Sequence, residues 1–242
     1  MSQAYPVVLA LGCLAGLGWL ALRRGVSAEV EVHSFPAALL ALALGLVGAR
    51  LAFAALHGPY FGGNPLEVLW VWRGGLSWVG AAMGALAAVG LYAVLRQIRL
   101  APLADALVIP ALMMALAAWT GCLLEECVYG IPVTPGPLAP AGTDLFGVVA
   151  PRWPTAAAGM IATGTMLCAF LWLEGSGIGP GQAAVGALAG LAAVGLGLSF
   201  TRADPALMIG ALRVDALGSA LLLVLALALA LFVRLKPGGS SP

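Results

Sequence analysis

Arg50 carries the sharpest chemistry in this chain, because it stands inside the long apolar run around Gly48-Ala49-Arg50-Leu51. A guanidinium keeps its charge in any surroundings and grips a phosphate at two points, which suits a phospholipid head group. A buried ion pair with Glu67, Glu125 or Glu126 is the structural alternative. Downstream, Gly74-Gly75-Leu76-Ser77 opens another apolar run. Its glycines permit close backbone approach and a helix start there offers unpaired N–H groups to an anion, although a plain helix cap uses the same residues. Ser77 has no base beside it in sequence, so it is a weak nucleophile. Glu125, Glu126 and Tyr129 follow a third run and combine two crowded carboxylates with a phenol, a set fit for acid/base work or simply for a solvated helix end. Arg152 and Arg202 flank later runs, where each can reach a phosphate or snorkel to water.

These groups need helices to hold them. With 242 residues, 62% hydrophobic, 9% charged and a mean hydropathy of +1.04, the chain is far too apolar for a soluble domain, where about a quarter of residues are charged. The expectation is an all-α, polytopic membrane protein forming a single integral membrane domain over residues 1–242. A spanning helix needs about 20 apolar residues. Seven runs qualify, near 5–22, 35–56, 76–95, 103–124, 155–173, 182–200 and 211–233. Pro110 is expected to kink the fourth. Residues 125–154 are rich in Pro, Gly and charge and read as a small outward-facing cap, and residues 236–242 as a flexible tail.

Lys and Arg near helix ends favour the cytoplasm. An external N-terminus puts Arg23, Arg24, Arg96, Arg99, Arg234 and Lys236 inside, and the C-terminus with them. Arg73, Arg152, Arg202 and Arg213 then gather outside beside Glu67, Glu125, Glu126, Asp144, Asp204 and Asp215. Residues 1–5 lack the basic segment of a secretory signal, so the first run is expected to stay as a spanning helix. The four cysteines make no Cys-x-x-Cys pair, which gives no zinc framework, and Cys122 and Cys127 can pair in an oxidising compartment. No basic stripe or aromatic platform points to nucleic acid. No convincing inverted repeat of broken helices points to a solute transporter.

Taken in order, Tyr5, Gly48-Ala49-Arg50-Leu51, Asn64-Pro65-Leu66-Glu67, Gly74-Gly75-Leu76-Ser77-Trp78, Ala104-Asp105, Tyr129-Gly130, Pro151-Arg152-Trp153-Pro154-Thr155 and Arg202-Ala203-Asp204-Pro205 resemble prolipoprotein diacylglyceryl transferase over nearly the whole chain. The resemblance implies transfer of a diacylglyceryl group from phosphatidylglycerol to the lipobox cysteine thiol of a preprolipoprotein in a bacterial plasma membrane. It implies no metal and no organic cofactor. On that footing Arg50, Arg152 and Arg202 neutralise the donor phosphate, while Asn64, Gly74, Gly75 and Ser77 line the head-group site. The sequence departs from the family where Val79 replaces a histidine, Trp119 an arginine, Cys122 an asparagine, and Gly195 and Ser199 an arginine and a glutamate. Glu125, Glu126 or His57 would then supply the base, and Arg73 or Arg213 the charge. The alternative is a catalytically inactive or repurposed homologue that binds phospholipid or an acylated partner.

Overall fold

A computed structural model describes residues 4–23, 27–137 and 139–235. Arg24, Lys236 and the expected tail lie outside the described residues. Helix α1 spans Ala4–Leu22, α2 Ala28–Leu56, and the short α3 Gly58–Gly63, followed by 3-10 turns at Pro65–Leu69 and Val71–Arg73. Then come α4 (Trp78–Arg96), α5 (Leu100–Ala106) and α6 (Val108–Glu125). A hairpin of β1 (Ala141–Thr143) and β2 (Val149–Pro151) leads into α7 (Thr155–Leu173) and α8 (Gln182–Ser199). A smaller hairpin of β3 (Met208–Ile209) and β4 (Leu212–Arg213) runs straight into α9 (Val214–Leu235). Seven of these helices are long and apolar enough to cross a membrane, namely α1, α2, α4, α6, α7, α8 and α9.

Three boundaries differ from the sequence expectation. Helix α2 starts seven residues early, at Ala28, because Glu29 and Glu31 in its first turn favour the positive end of the helix dipole. The fourth run is not kinked but broken. Pro110 has no N–H to give to residue 106 and its ring crowds that carbonyl, so α5 stops at Ala106 and Leu107 donates only three residues back, to the Ala104 carbonyl at 3.1 Å. Pro110 then falls in the first turn of α6, where a missing N–H costs little. The seventh run loses residues 211–213 to the β3–β4 hairpin, Ala211 to its turn and 212–213 to β4.

The chain divides into two compact units, residues 23–107 and residues 1–22 with 108–242. Within the first, α2 and α4 run antiparallel with their backbones in contact. A Cβ on Gly84 would meet the Leu44 carbonyl carbon at 3.0 Å and the Gly45 Cα at 3.2 Å, and one on Gly48 would meet the Gly84 Cα at 3.1 Å. Lipid offers no hydrophobic drive between helices, so such small-residue seams hold by close van der Waals contact. In the second unit the same device joins α1 to α6. A Cβ on Gly16 would meet the Pro110 Cα at 3.1 Å, and one on Gly121 would meet the Tyr5 ring at 2.8 Å. Val108, Leu112 and Ala187 form a buried core there with Met166 and Phe170 packed on it.

Candidate functional site

In the 23–107 unit the α2–α4 seam brings Arg50 beneath the loop that precedes α4. Ser77 caps α4 by accepting the Gly80 N–H at 3.3 Å, and its own N–H donates to the Ala49 carbonyl at 3.0 Å, one residue from Arg50. Arg50 is buried and spends its N–H groups on loop carbonyls: Nε on Val68 at 2.8 Å, Nη1 on Gly74 at 2.7 Å and Gly75 at 3.1 Å, Nη2 on Glu67 at 2.5 Å and Trp70 at 3.4 Å. A guanidinium has five N–H donors, and these five carbonyls use them. Phe53 and Phe61 hold its faces, with ring centroids 5.9 and 5.2 Å from the guanidinium carbon. Gly75 is required here, since its φ is +73° and a Cβ would meet Arg50 Nη1 at 2.9 Å. Gly74 has φ +85° with open space around its Cα. Asn64 is exposed at the end of α3, where its carbonyl accepts the Glu67 N–H at 3.1 Å. His57 Nδ1 lies 2.9 Å from the Phe53 carbonyl.

In the other unit the cap is a small ladder built on residues 129–133. Along one side of this segment the Ile131 N–H donates to the Thr201 carbonyl and the Ala203 N–H to the Tyr129 carbonyl, both at 2.9 Å. Along the other, the Val133 N–H donates to the Pro151 carbonyl and the Trp153 N–H to the Ile131 carbonyl, both at 3.0 Å. Gly130 thus pairs with Arg202 and Pro132 with Arg152, so the two arginine backbones are neighbours on one ladder although 50 positions apart in sequence.

The side chains at this ladder are heavily engaged. Arg152 donates to the carbonyls of Gly130 and Gly142 at 3.3 Å, pairs with Asp144 at 2.8 Å, and sits 5.1 Å over the Tyr129 ring. Asp144 accepts the Val148 and Phe146 N–H groups at 2.9 Å. The Val148 bond outweighs the opposing desolvation and, with Phe146 and Arg152, holds its carboxyl below the ordinary carboxylate range. Arg202 grips Asp204 at two points, 2.8 and 2.7 Å, and reaches Asp215 at 3.0 Å. Arg213 closes the square on Asp204 at 3.1 Å and Asp215 at 3.1 Å. Burial pushes the Asp204 carboxyl up, but the two guanidinia beside it prevail and lower it. Among these arginines the Arg202 side chain is the most accessible, 20% exposed against 13% for Arg213 and 7% for Arg152.

The expected acid/base groups lie at the end of α6. Glu125 Oε1 accepts the Tyr5 N–H at 3.2 Å, placing a carboxylate at the N-terminus of α1. Glu126 turns the chain with φ +53°, and its Oε2 accepts the Thr143 N–H at 3.3 Å. Cys122 and Cys127 are joined by a disulfide with Cα atoms 4.9 Å apart, and the Cys127 N–H donates to the Cys122 carbonyl at 3.2 Å. That bond exists because the helix unwinds at Glu126; residues five apart on a regular helix point apart. Trp119 packs on the bare Cα of Gly159, joining α6 to α7. Arg50, Asn64, Gly74, Gly75 and Ser77 therefore belong to one unit, and Glu125, Glu126, Tyr129, Arg152 and Arg202 to the other. Sequence reasoning missed the carbonyl cage of Arg50 and the Glu125–Tyr5 contact; for the first, the Gly74-Gly75 pair was the available signal.

Among the described residues, seven apolar spans with an arginine-bearing ladder that joins the α6–α7 and α8–α9 connections define a multi-pass membrane protein. The family model described as prolipoprotein diacylglyceryl transferase matches residues 2–232, and the chain belongs to that family. Curated relatives called phosphatidylglycerol–prolipoprotein diacylglyceryl transferase include one from Ruegeria pomeroyi, 32% identical over 166 residues covering 64% of this chain and 54% of the relative. One from Geobacillus kaustophilus is 30% identical over 54% of this chain and 48% of the relative. Another, from Bacillus licheniformis, is 27% identical over 50% and 46%. The chain thus spans about half the length of the curated relatives it matches.

Proposed function

We propose that the protein transfers a diacylglyceryl group from phosphatidylglycerol to the lipobox cysteine of a preprolipoprotein. The observation that carries this reading is the family match across residues 2–232. In the reaction the cysteine sulfur attacks the glyceryl carbon that bears the phosphoester. The S–C bond forms as the C–O bond breaks, glycerol phosphate leaves with its electron pair, and the thiol proton passes to a base. Charge builds on the leaving phosphate, so fixed cations beside it lower the barrier. Arg202, the most accessible arginine of the ladder, meets that phosphate, with Arg152 behind it. In its own unit Arg50 serves by holding the loop that runs from Asn64 to Ser77, whose Gly74–Gly75 turn is the candidate contact for a head group. Glu125, Glu126 and Tyr129 are the acid/base candidates. Glu125→Gln keeps an acceptor for the Tyr5 N–H, so lost activity in a protein of unchanged stability would mark a chemical role for that carboxylate.

The ladder end of the bundle faces outward in this proposal. A disulfide persists in an oxidising compartment, and the Tyr5–Glu125 contact puts the start of α1 at the same end as Cys122–Cys127. The N-terminus is then external and the C-terminus cytoplasmic.

A second reading, a non-catalytic phospholipid-binding homologue, is favoured by Val79 and by Trp119, whose ring fills the space over Gly159. Complementation of a transferase-depleted bacterial strain separates the two. Growth with lipidated precursors is expected. A membrane-inserted protein that binds phosphatidylglycerol but leaves precursors unmodified would overturn the transferase reading and select the second.

A further inference from the structure

The β3–β4 hairpin is two-faced. Its antiparallel register sets Met208 opposite Arg213 and Ile209 opposite Leu212, and cross-strand partners share a face. On one face Arg213 is drawn to Asp204 and Asp215. The other presents Ile209, 61% exposed, and Leu212, 45% exposed, with no charged residue among positions 205–212. The turn between them is Gly210 with φ +62°. Isolated apolar residues on a surface are ordinary, but an uncharged face tied by an ion cluster on its back is oriented toward something.

The depth of the hairpin identifies what that is. Helix α9 follows β4 without a linker, and the Val214 N–H donates back to the Leu207 carbonyl at 3.0 Å. Between Asp215 and Arg234 lie 18 uncharged residues, 216–233. At 1.5 Å per residue they cover about 27 Å, which nearly matches a hydrocarbon core of about 30 Å and sets Asp215 at its edge. Head groups extend the bilayer by about 6 Å on each side. The tip at Gly210 is only four residues from Val214 and folded back on itself, so the hairpin stays near head-group depth. On the first turns of α9, Leu217 and Leu221 are exposed as well.

We propose that the β3–β4 hairpin is an interfacial anchor whose Ile209 and Leu212 sit among the head groups and first acyl carbons of the ladder-side leaflet, holding the Arg202–Asp204–Arg213–Asp215 cluster at the lipid surface. It does not depend on the transferase reading. The test places a nitroxide at Ile209→Cys in a Cys13→Ser, Cys168→Ser background that keeps the Cys122–Cys127 disulfide. The protein is reconstituted in phosphatidylethanolamine–phosphatidylglycerol vesicles, and collisions with oxygen are compared with collisions with a water-soluble nickel chelate. Labels at Leu221 on α9 and at Pro135 in the cap serve as the lipid and water references. The oxygen-to-nickel ratio at residue 209 is expected several-fold above that at 135 and below that at 221. A ratio equal to that at 135, in protein with native helix content, would overturn the anchor and point to a docking face for a protein partner. If Ile209→Cys fails to fold, the label moves to Leu212→Cys with the same two outcomes.

Discussion

A guanidinium that satisfies five carbonyls is a structural device before it is a ligand for anything else. Lysine offers three donors from one point and cannot span Glu67, Val68, Trp70, Gly74 and Gly75 together. Arg50→Lys is therefore expected to lower stability, and Arg50→Ala to lower it further, by about 1–3 kcal/mol given the cost of leaving part-buried carbonyls without a donor. Unfolding in detergent measures this, and equal stability of Arg50→Ala and the parent would refute the cage as a stabilising element. Asp204 gives a pH signature. Its carboxyl is lowered in the folded protein, so its contribution is fully present above the unfolded value of about 4 and disappears as pH falls through the depressed value. Asp204→Asn should cost stability at pH 7 and flatten the acid limb of a melting-temperature profile below about pH 5. A variant with the parent's full acid limb would show that other carboxylates carry it.

At the scale of elements, two features position the candidate residues: glycine seams and the bonded end of α6. A Val at Gly84 would drive a methyl into the Leu44 carbonyl and part α2 from α4, at about 1–3 kcal/mol for an overpacked contact. The Ser77–Ala49 and Arg50–loop bonds cross that seam, so Gly84→Val should also raise protease cutting in residues 64–77. Uncut loops in the variant would show that the loop is held without the seam. The disulfide closes a loop of few residues, for which chain entropy gives about 2 kcal/mol. Cys122→Ser with Cys127→Ser should lower the melting temperature modestly and expose the β1–β2 hairpin to hydrogen exchange. Mass spectrometry of unreduced protein should find Cys122 and Cys127 bonded and Cys13 and Cys168 as thiols.

For the whole molecule the prediction is one of topology. Cysteine introduced at Pro135 should react with an impermeant maleimide in intact cells, and cysteine at Lys236 only after lysis. Labelling of position 236 from outside would reverse the orientation and remove the oxidising surroundings that the Cys122–Cys127 bond needs.

The seven spans were legible in the sequence because the bilayer imposes a length of about 20 apolar residues, and hydrogen bonding within the helix satisfies each backbone without help from distant chain. Family membership was legible as well, from short motifs kept in order from Tyr5 to Asp204. The effect of Pro110 was half legible: an interruption follows from its ring, but a break at Leu107 in place of a kink depended on what the flanking helices pack against. Arg50 was recognised as costly, yet the partner expected for it was a lipid phosphate or a carboxylate, and its donors go to five carbonyls of a loop 17 to 25 residues on. Taken singly, Arg152 and Arg202 read as helix-end charges, joined at one phosphate only through the family resemblance; pairing with residues 129–133 is what sets their backbones on one ladder. Composition and period fix where a chain must be buried in lipid, since that choice is made residue by residue against a uniform solvent. Which donor meets which acceptor is decided by chain that returns from far away: the two-glycine turn closes over Arg50 within one unit, and the ladder forms beside the bonded end of α6 within the other, each only through such returns.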